Sequence, residues 1–256
     1  EMDIKGSCIV VTGAGHGIGK GLAEKFADLG AAHVICADID LEAAKATADH
    51  IGGFALHLDA GSEDSIKGLI DTVEDSIAPI DLFCSNAGIL TKGGFEVPND
   101  EWQKIWDINV MSHVWASRHL VPLMLKRGGG YMLNTASAAG LLNQIGAAPY
   151  GVTKHAAVGF AEWLAITYGD QGIGVSVLCP QAVRSEMTRG LEESVASLDG
   201  LLEPDMVADC CVKAIENNEF LVLPHPQVKD YMQAKTSNYG RWITGMQRLR
   251  DRFGGM

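Results

Sequence analysis

The sequence is short of positive charge: 20 Lys and Arg stand against 32 Asp and Glu, a formal net charge of −12, with a pI near 5.0. That balance opposes a broad nucleic-acid footprint or attraction to an anionic membrane surface, both of which need clustered cations. No apolar run approaches the ~18 residues that span a bilayer, and the start has no basic stretch followed by an apolar one. A cytoplasmic protein is expected. Cysteine is sparse, with six residues and no C-x-x-C pair; Cys8, Cys36, Cys84 and Cys179 lie inside apolar runs and Cys210 and Cys211 are adjacent, as buried free thiols would be. The eight histidines form no H-E-x-x-H and no Cys/His cluster, so no metal site is expected. His113 and His119 read as ordinary residues of a helix face. Linkers, low-complexity tracts and solenoid repeats are also missing.

What remains is a chain of 256 residues, 47% hydrophobic, enough for one large α/β domain. Short β-branched runs (8–12, 33–38, 54–59, 81–88, 130–137, 174–180 and 219–224) alternate with segments of helical period (18–29, 41–50, 63–77, 100–126, 150–169 and 204–217). Several of the strands are apolar almost throughout, as strands covered on both faces must be. Repeated βα units with right-handed crossovers predict a doubly wound, Rossmann-type parallel sheet of about seven strands. A single domain is expected over 1–256, its core from about 4 to 225 and a basic helical arm from about 226 to 256. The arm's cations suit a solvated face, a subunit contact or a lid over a ligand.

The stretch "CIVVTGAGHGIGKGLAEKF" joins the first strand to a helix through Gly13, Gly15, Gly17 and Gly19. Missing Cβ atoms let backbone amides approach a phosphate at the positive end of a helix, as a dinucleotide pyrophosphate requires. The strict G-x-G-x-x-G spacing fails because Ile18 occupies the last glycine position. About 20 residues further on, Asp38 ends the second strand, where a carboxylate can accept from ribose hydroxyls; the other reading is a helix cap for "DIDLEAA". A 2′-phosphate would meet like charge at Asp38 and Asp40, and neither His16 nor Ile39 is an Arg that could neutralise it. NAD is the expected cofactor.

Taken together, Thr12-Gly13-x-x-x-Gly17-x-Gly19, Asn86-Ala87-Gly88, Asn109, Ser137 and Tyr150-x-x-x-Lys154 resemble the short-chain dehydrogenase/reductase superfamily, in order and over nearly the whole chain. The resemblance implies a cofactor held by the glycine turn from Gly13 to Gly19 with Gly15, His16, Gly17 and Ile18, by Asp38 and Ile39, by Asp59 and Ala60 at the adenine, and by Asn86, Ala87 and Gly88. It implies Pro180, Val183 and Ser185 at the nicotinamide carboxamide. Gln181 departs from the glycine usual after that proline, and the departure bears on the local turn.

The resemblance also implies the chemistry. Moving a hydride from an alcohol carbon requires a base within reach of the hydroxyl. Tyr150 has an ordinary pKa near 10, so about one phenolate in a thousand is present at pH 7, and bringing it to about 7 takes about 4 kcal/mol. Lys154, one helical turn along, lies on the same face and supplies a cation. Ser137 resembles the serine that steadies the substrate oxygen, and Asn109 the residue that positions a relay water. A second Tyr-x-x-x-Lys, Tyr231 and Lys235, has no serine thirteen residues earlier and reads as structural.

Substrate contacts are expected from Asn143, Gln144, Gln181, Met187 and Leu191, the last two in an apolar lid over 186–203. These readings favour an NAD-dependent dehydrogenase of hydrophobic secondary alcohols and their ketones. The helices near 108–126 and 150–168 resemble those that build homotetramers or homodimers. One rival is a 3-oxoacyl thioester reductase, docking an acidic carrier at Lys126 and Arg127, whose bland reading is two cations at a helix end. Another is a non-catalytic NAD(H) sensor. A hydrolase triad of Ser137, His155 and Asp170 is disfavoured, since Ser137 lies in no G-x-S-x-G elbow.

Overall fold

A computed structural model describes residues 2–185, 187–189 and 195–253. Seven strands, β1 (Cys8–Thr12), β2 (His33–Asp38), β3 (Phe54–His57), β4 (Leu82–Ser85), β5 (Gly130–Thr135), β6 (Ile173–Leu178) and β7 (Leu221–Val222), form one sheet. Every pairing is parallel, in the order β3-β2-β1-β4-β5-β6-β7. The helices are α1 (Gly17–Asp28), α2 (Leu41–Ile51), α3 (Glu63–Ser76), α4 (Asn99–Trp106), α5 (Ser112–Lys126), α6 (Ala139–Leu142), α7 (Ala148–Tyr168), α8 (Pro204–Asn217), α9 (Gln227–Ser237) and α10 (Tyr239–Arg252). This is the doubly wound, Rossmann-type sheet that the alternation predicts.

Strand alternation splits the core into two layers. Phe83 and Met132 point to the face covered by Leu69, Leu120 and Leu164. Leu82 and Leu133 point to the opposite face, against Leu22, Phe26, Val207 and Ile215. In register, Val10 of β1 lies beside Ile35 of β2 and Phe83 of β4, so chain order reverses at β1. A crevice opens at the carboxyl ends of the strands at that reversal, where ligands of such sheets bind.

Several boundaries differ from expectation. The residues read as strand ends at 58–59, 86–88, 136–137 and 179–180 leave the ladder and become loops around the crevice. β7 is shorter than the run over 219–224, with Pro224, which has no N–H, just beyond it. The helix read as continuous over 100–126 is interrupted by a π-turn at Asp107–Met111 between α4 and α5. Such widened turns are common at functional sites.

Capping is local and readable. Ser62 Oγ accepts from Ser65 N at 3.3 Å at the start of α3, and Asp40, not Asp38, caps α2 by accepting from Ala43 N at 3.1 Å. His113 lies on the buried, core-facing side of α5. His119 is half-buried, its Nε2 2.9 Å from Glu63. Arg127 is held by Glu74 at 2.7 Å and by the Ile80 carbonyl. All six cysteines are free, five of them buried. Among the described residues no helix is long and apolar enough to cross a membrane, and no cluster of three metal-ligating side chains occurs.

Candidate active site

The crevice is a cavity of about 940 Å³ lined from the glycine turn at one end to α10 at the other. Thr12 sets its floor. Its Oγ1 accepts from Asn86 N at 2.8 Å and Ala87 N at 3.0 Å, which stitches the end of β1 to the Asn86-Ala87-Gly88 loop. Asn86 is fixed in turn, donating to the Thr12 carbonyl at 3.1 Å and accepting from Thr135 Oγ1 at 3.0 Å.

The glycine turn is a cradle that side chains would fill. Gly13 has φ +65°, and a Cβ there would stand 3.2 Å from the Ala87 Cα; one on Gly19 would strike the Gly13 carbonyl, so α1 can begin against the turn only without it. Asp38 belongs to this cradle. One carboxylate oxygen accepts from Gly15 N and the other from Asp40 N, both at 2.9 Å, while the group lines the cavity. It has acceptor lone pairs left for ribose hydroxyls. Gly13, His16, Gly17, Ile18, Ile39, Asp59, Ala60, Asn86, Ala87, Gly88, Pro180, Val183 and Ser185 line the same cavity. Gly15 and Gly19 do not line it but shape the turn. His16 is exposed, 3.6 Å from Asp40. These residues fit a dinucleotide.

Opposite the cradle, α7 carries Pro149 in its first turn and presents Tyr150 and Lys154 to the cavity. Lys154 Nζ stands 5.5 Å from the centre of the Tyr150 ring. Burial lowers the Lys154 pKa to about 8. Burial likewise raises Tyr150 above its ordinary value, more than the hydrogen bond from Ser137 lowers it. The net direction for Tyr150 is upward even with Lys154 alongside. Ser137 Oγ is anchored by Ala139 N at 3.0 Å and donates to the Pro180 carbonyl at 3.4 Å.

Asn109 sits in the π-turn, fully buried, with its amide spent on protein. Oδ1 accepts from Ile89 N at 2.9 Å, and Nδ2 donates to the Ile89 carbonyl at 3.0 Å and to Thr153 Oγ1 at 3.2 Å. Both donors are committed, so its side chain braces the loop after Gly88 rather than holding a water by donation. A Cβ on Gly88 would stand 3.2 Å from Lys154 Nζ and 3.3 Å from Asn109 Oδ1.

Of the substrate candidates, Asn143, Gln144, Gln181 and Met187 line the cavity, and Leu191 lies outside the described residues. Asn143 adopts φ +71° and bonds Gln144 N at 2.9 Å. Met187 is 43% exposed. Within the apolar lid, Val195 and Leu198 line the cavity, but Leu202 packs on the core and bridges to Val183. One contributor escaped the sequence reading, and the arm takes up the lid reading mostly with apolar residues. His225 accepts from Gln181 N at 3.0 Å, and its only sequence signal is a histidine between two prolines. The arm contributes Tyr231, Trp242, Met246 and Leu249.

A sequence profile described as short chain dehydrogenase matches residues 7–196. The chain belongs to the short-chain dehydrogenase family. Among curated members, 1-deoxy-11-beta-hydroxypentalenate dehydrogenase of Streptomyces exfoliatus is 35% identical over 199 residues, 74% of this chain and 72% of that protein. The CLA biosynthesis dehydrogenase/reductase of Lactiplantibacillus plantarum is 31% identical over 88% of this chain and 90% of its own length. A solved short-chain dehydrogenase/reductase from Burkholderia phymatum, in complex with NAD, superposes with a TM-score of 0.87 at 27% identity, covering 94% and 96% of the two chains. This short-chain dehydrogenase is accordingly an oxidoreductase acting on CH–OH groups, of a family that uses NAD(P).

Proposed function

We propose that the protein is an NAD(H)-dependent oxidoreductase interconverting a hydrophobic secondary alcohol and its ketone, with Tyr150 as general acid/base. The observation that carries this reading is the joint placement of Tyr150, Lys154 and Ser137 on the wall of one cavity, across from the glycine cradle.

The cradle at Gly13–Gly19 would hold the pyrophosphate, Asp38 the adenosine ribose, and Asp59 and Ala60 the adenine. When bound, the oxidised nicotinamide supplies the hydride acceptor and a positive charge near the phenol. Tyr150 Oη takes the carbinol proton, and Ser137 Oγ donates to the carbinol oxygen and steadies its developing charge. Because burial raises the Tyr150 pKa and depresses that of Lys154, activation of the phenol depends on two positive charges acting together. Lys154, buried beside Gly88, would bind the nicotinamide ribose as well. Asn109 holds the Ile89 loop against Thr153 and keeps that side of the site in shape. Asp38 supports NAD over NADP, since its carboxylate would face a 2′-phosphate. On the outside, Val152, Trp163 and Ile166 of α7 are exposed apolar residues, which supports assembly as a homotetramer.

The test is Tyr150→Phe. Turnover of secondary alcohols, followed by NADH absorbance at alkaline pH, should nearly vanish while cofactor binding persists; unchanged turnover would refute the assigned base. Tighter binding of NADPH than of NADH would count against the NAD assignment.

A further inference from the structure

The second Tyr-x-x-x-Lys pair builds a wall of the cavity. Tyr231 OH donates to Asp199 Oδ1 at 2.9 Å, which ties α9 to the end of the loop over the site. Lys235 Nζ donates to the Leu141 carbonyl at 2.7 Å, in the short helix α6 just after Ser137. The same ammonium stands 4.9 Å from the Trp242 ring centre and 5.6 Å from that of Tyr239. One cation therefore joins α6, α9 and α10, its charge met by a carbonyl and by aromatic faces.

That anchorage gives α10 an orientation. From Tyr239 to Phe253, the partly buried residues are Trp242, Met246, Leu249 and Phe253, at spacings i, i+4, i+7 and i+11. All four line the cavity that holds Tyr150 and Ser137. No residue of α10 is buried in the core. Among the described residues this apolar, half-buried stripe meets α9 at Trp242 and otherwise turns into the ligand cavity, without the core partner an amphipathic helix ordinarily covers.

We propose that this stripe is the binding wall for the substrate's hydrocarbon tail, and that the enzyme prefers secondary alcohols bearing an extended apolar chain. The occupant follows from continuity: the stripe and the proton-transfer groups share one cavity, so a molecule whose carbinol meets Tyr150 can run its tail beneath α10. The inference rests on Tyr150 as the acid/base, and it makes the arm a specificity element.

The experiment measures kcat/KM for a homologous series of 2-alkanols, from 2-butanol to 2-decanol, at saturating NAD. For the wild type kcat/KM should rise about fourfold per added methylene, as burial of each CH₂ predicts, carried mainly by KM. Met246→Asp and Leu249→Gln, on a helix that packs on nothing in the core, should flatten that slope, whereas Gln247→Ala on the outward face should keep it. A wild-type rate independent of chain length, or a slope that both stripe variants preserve, overturns the proposal while leaving Tyr150 in place. A wild type that binds NAD and oxidises no member of the series overturns the underlying reading, and this proposal with it.

Discussion

The backbone N–H of Gln181 donates to Nδ1 of His225 at 3.0 Å, and Nε2 of the same ring lies 3.2 Å from the Gly200 carbonyl. The partners fix the tautomer: Nδ1 must be bare to accept and Nε2 must carry the proton to donate. One neutral imidazole thus staples both ends of the loop from 181 to 200, whose base is closed again by the Val183 to Leu202 bridge. The turn in which Gln181 stands in place of glycine is held by this ring.

Replacing His225 with Leu leaves the Gln181 N–H without its acceptor in a part-buried site. An unfolding free energy lower by about 1–3 kcal/mol is expected, read from urea denaturation near pH 7.5 with an unchanged denaturant slope. Parental stability in this variant would show that the staple carries nothing.

Acid should weaken the fold through histidine. Burial lowers the pKa of His225 and takes that of His113 to about 3. Both rings are neutral when native, so the unfolded chain, with pKa near 6.5, binds protons that the folded chain refuses. Stability from these groups is complete above about pH 6.5 and falls as pH drops toward 3. His113 alone should remove about 2 kcal/mol between pH 6.5 and 5. Urea midpoints across that window test this, and His113→Leu should lessen the fall; an equally steep fall in the variant would contradict it.

Gly88→Ala probes the approach of Lys154 to the loop. Gly88 is not in the left-handed region, and the added methyl would crowd the Lys154 ammonium at 3.2 Å, the far end of a flexible chain. The fold should survive with little change in urea midpoint. Displacing the ammonium should cut kcat roughly 10- to 100-fold. A variant as fast as the parent would mean that the position of Lys154 is not critical.

Asp38→Asn keeps an oxygen to accept from Gly15 N but removes the charge. Affinity for NADPH relative to NADH should rise about tenfold, the equivalent of about 1.4 kcal/mol, in paired fluorescence titrations. An unaltered ratio would place cofactor discrimination elsewhere.

Much of this site was written in local sequence. The glycine turn, the acid at the end of β2, the Ser62 cap and the one-turn separation of Tyr150 and Lys154 are short-range patterns, although Asp38 and the Asn86-Ala87 loop complete the turn from elsewhere in the chain. The apolar runs likewise fixed a parallel sheet, because strands covered on both faces have no room for alternation. The bracing role of Asn109 was not legible, because its side-chain amide is engaged by Ile89, 20 residues earlier. The raised pKa of Tyr150 was not legible either, since enclosure by the folded chain outweighs the hydrogen bond from Ser137.

The amino-acid order alone singled out Tyr150 and Lys154 as candidates for hydride-transfer chemistry and set Tyr231 and Lys235 aside as structural. Tertiary structure decided what those two residues do instead. It set the Lys235 ammonium against a carbonyl 94 residues away and turned Trp242, Met246 and Leu249 into the cavity. A helical stripe is visible in one dimension, but the surface it faces is chosen by packing between distant segments.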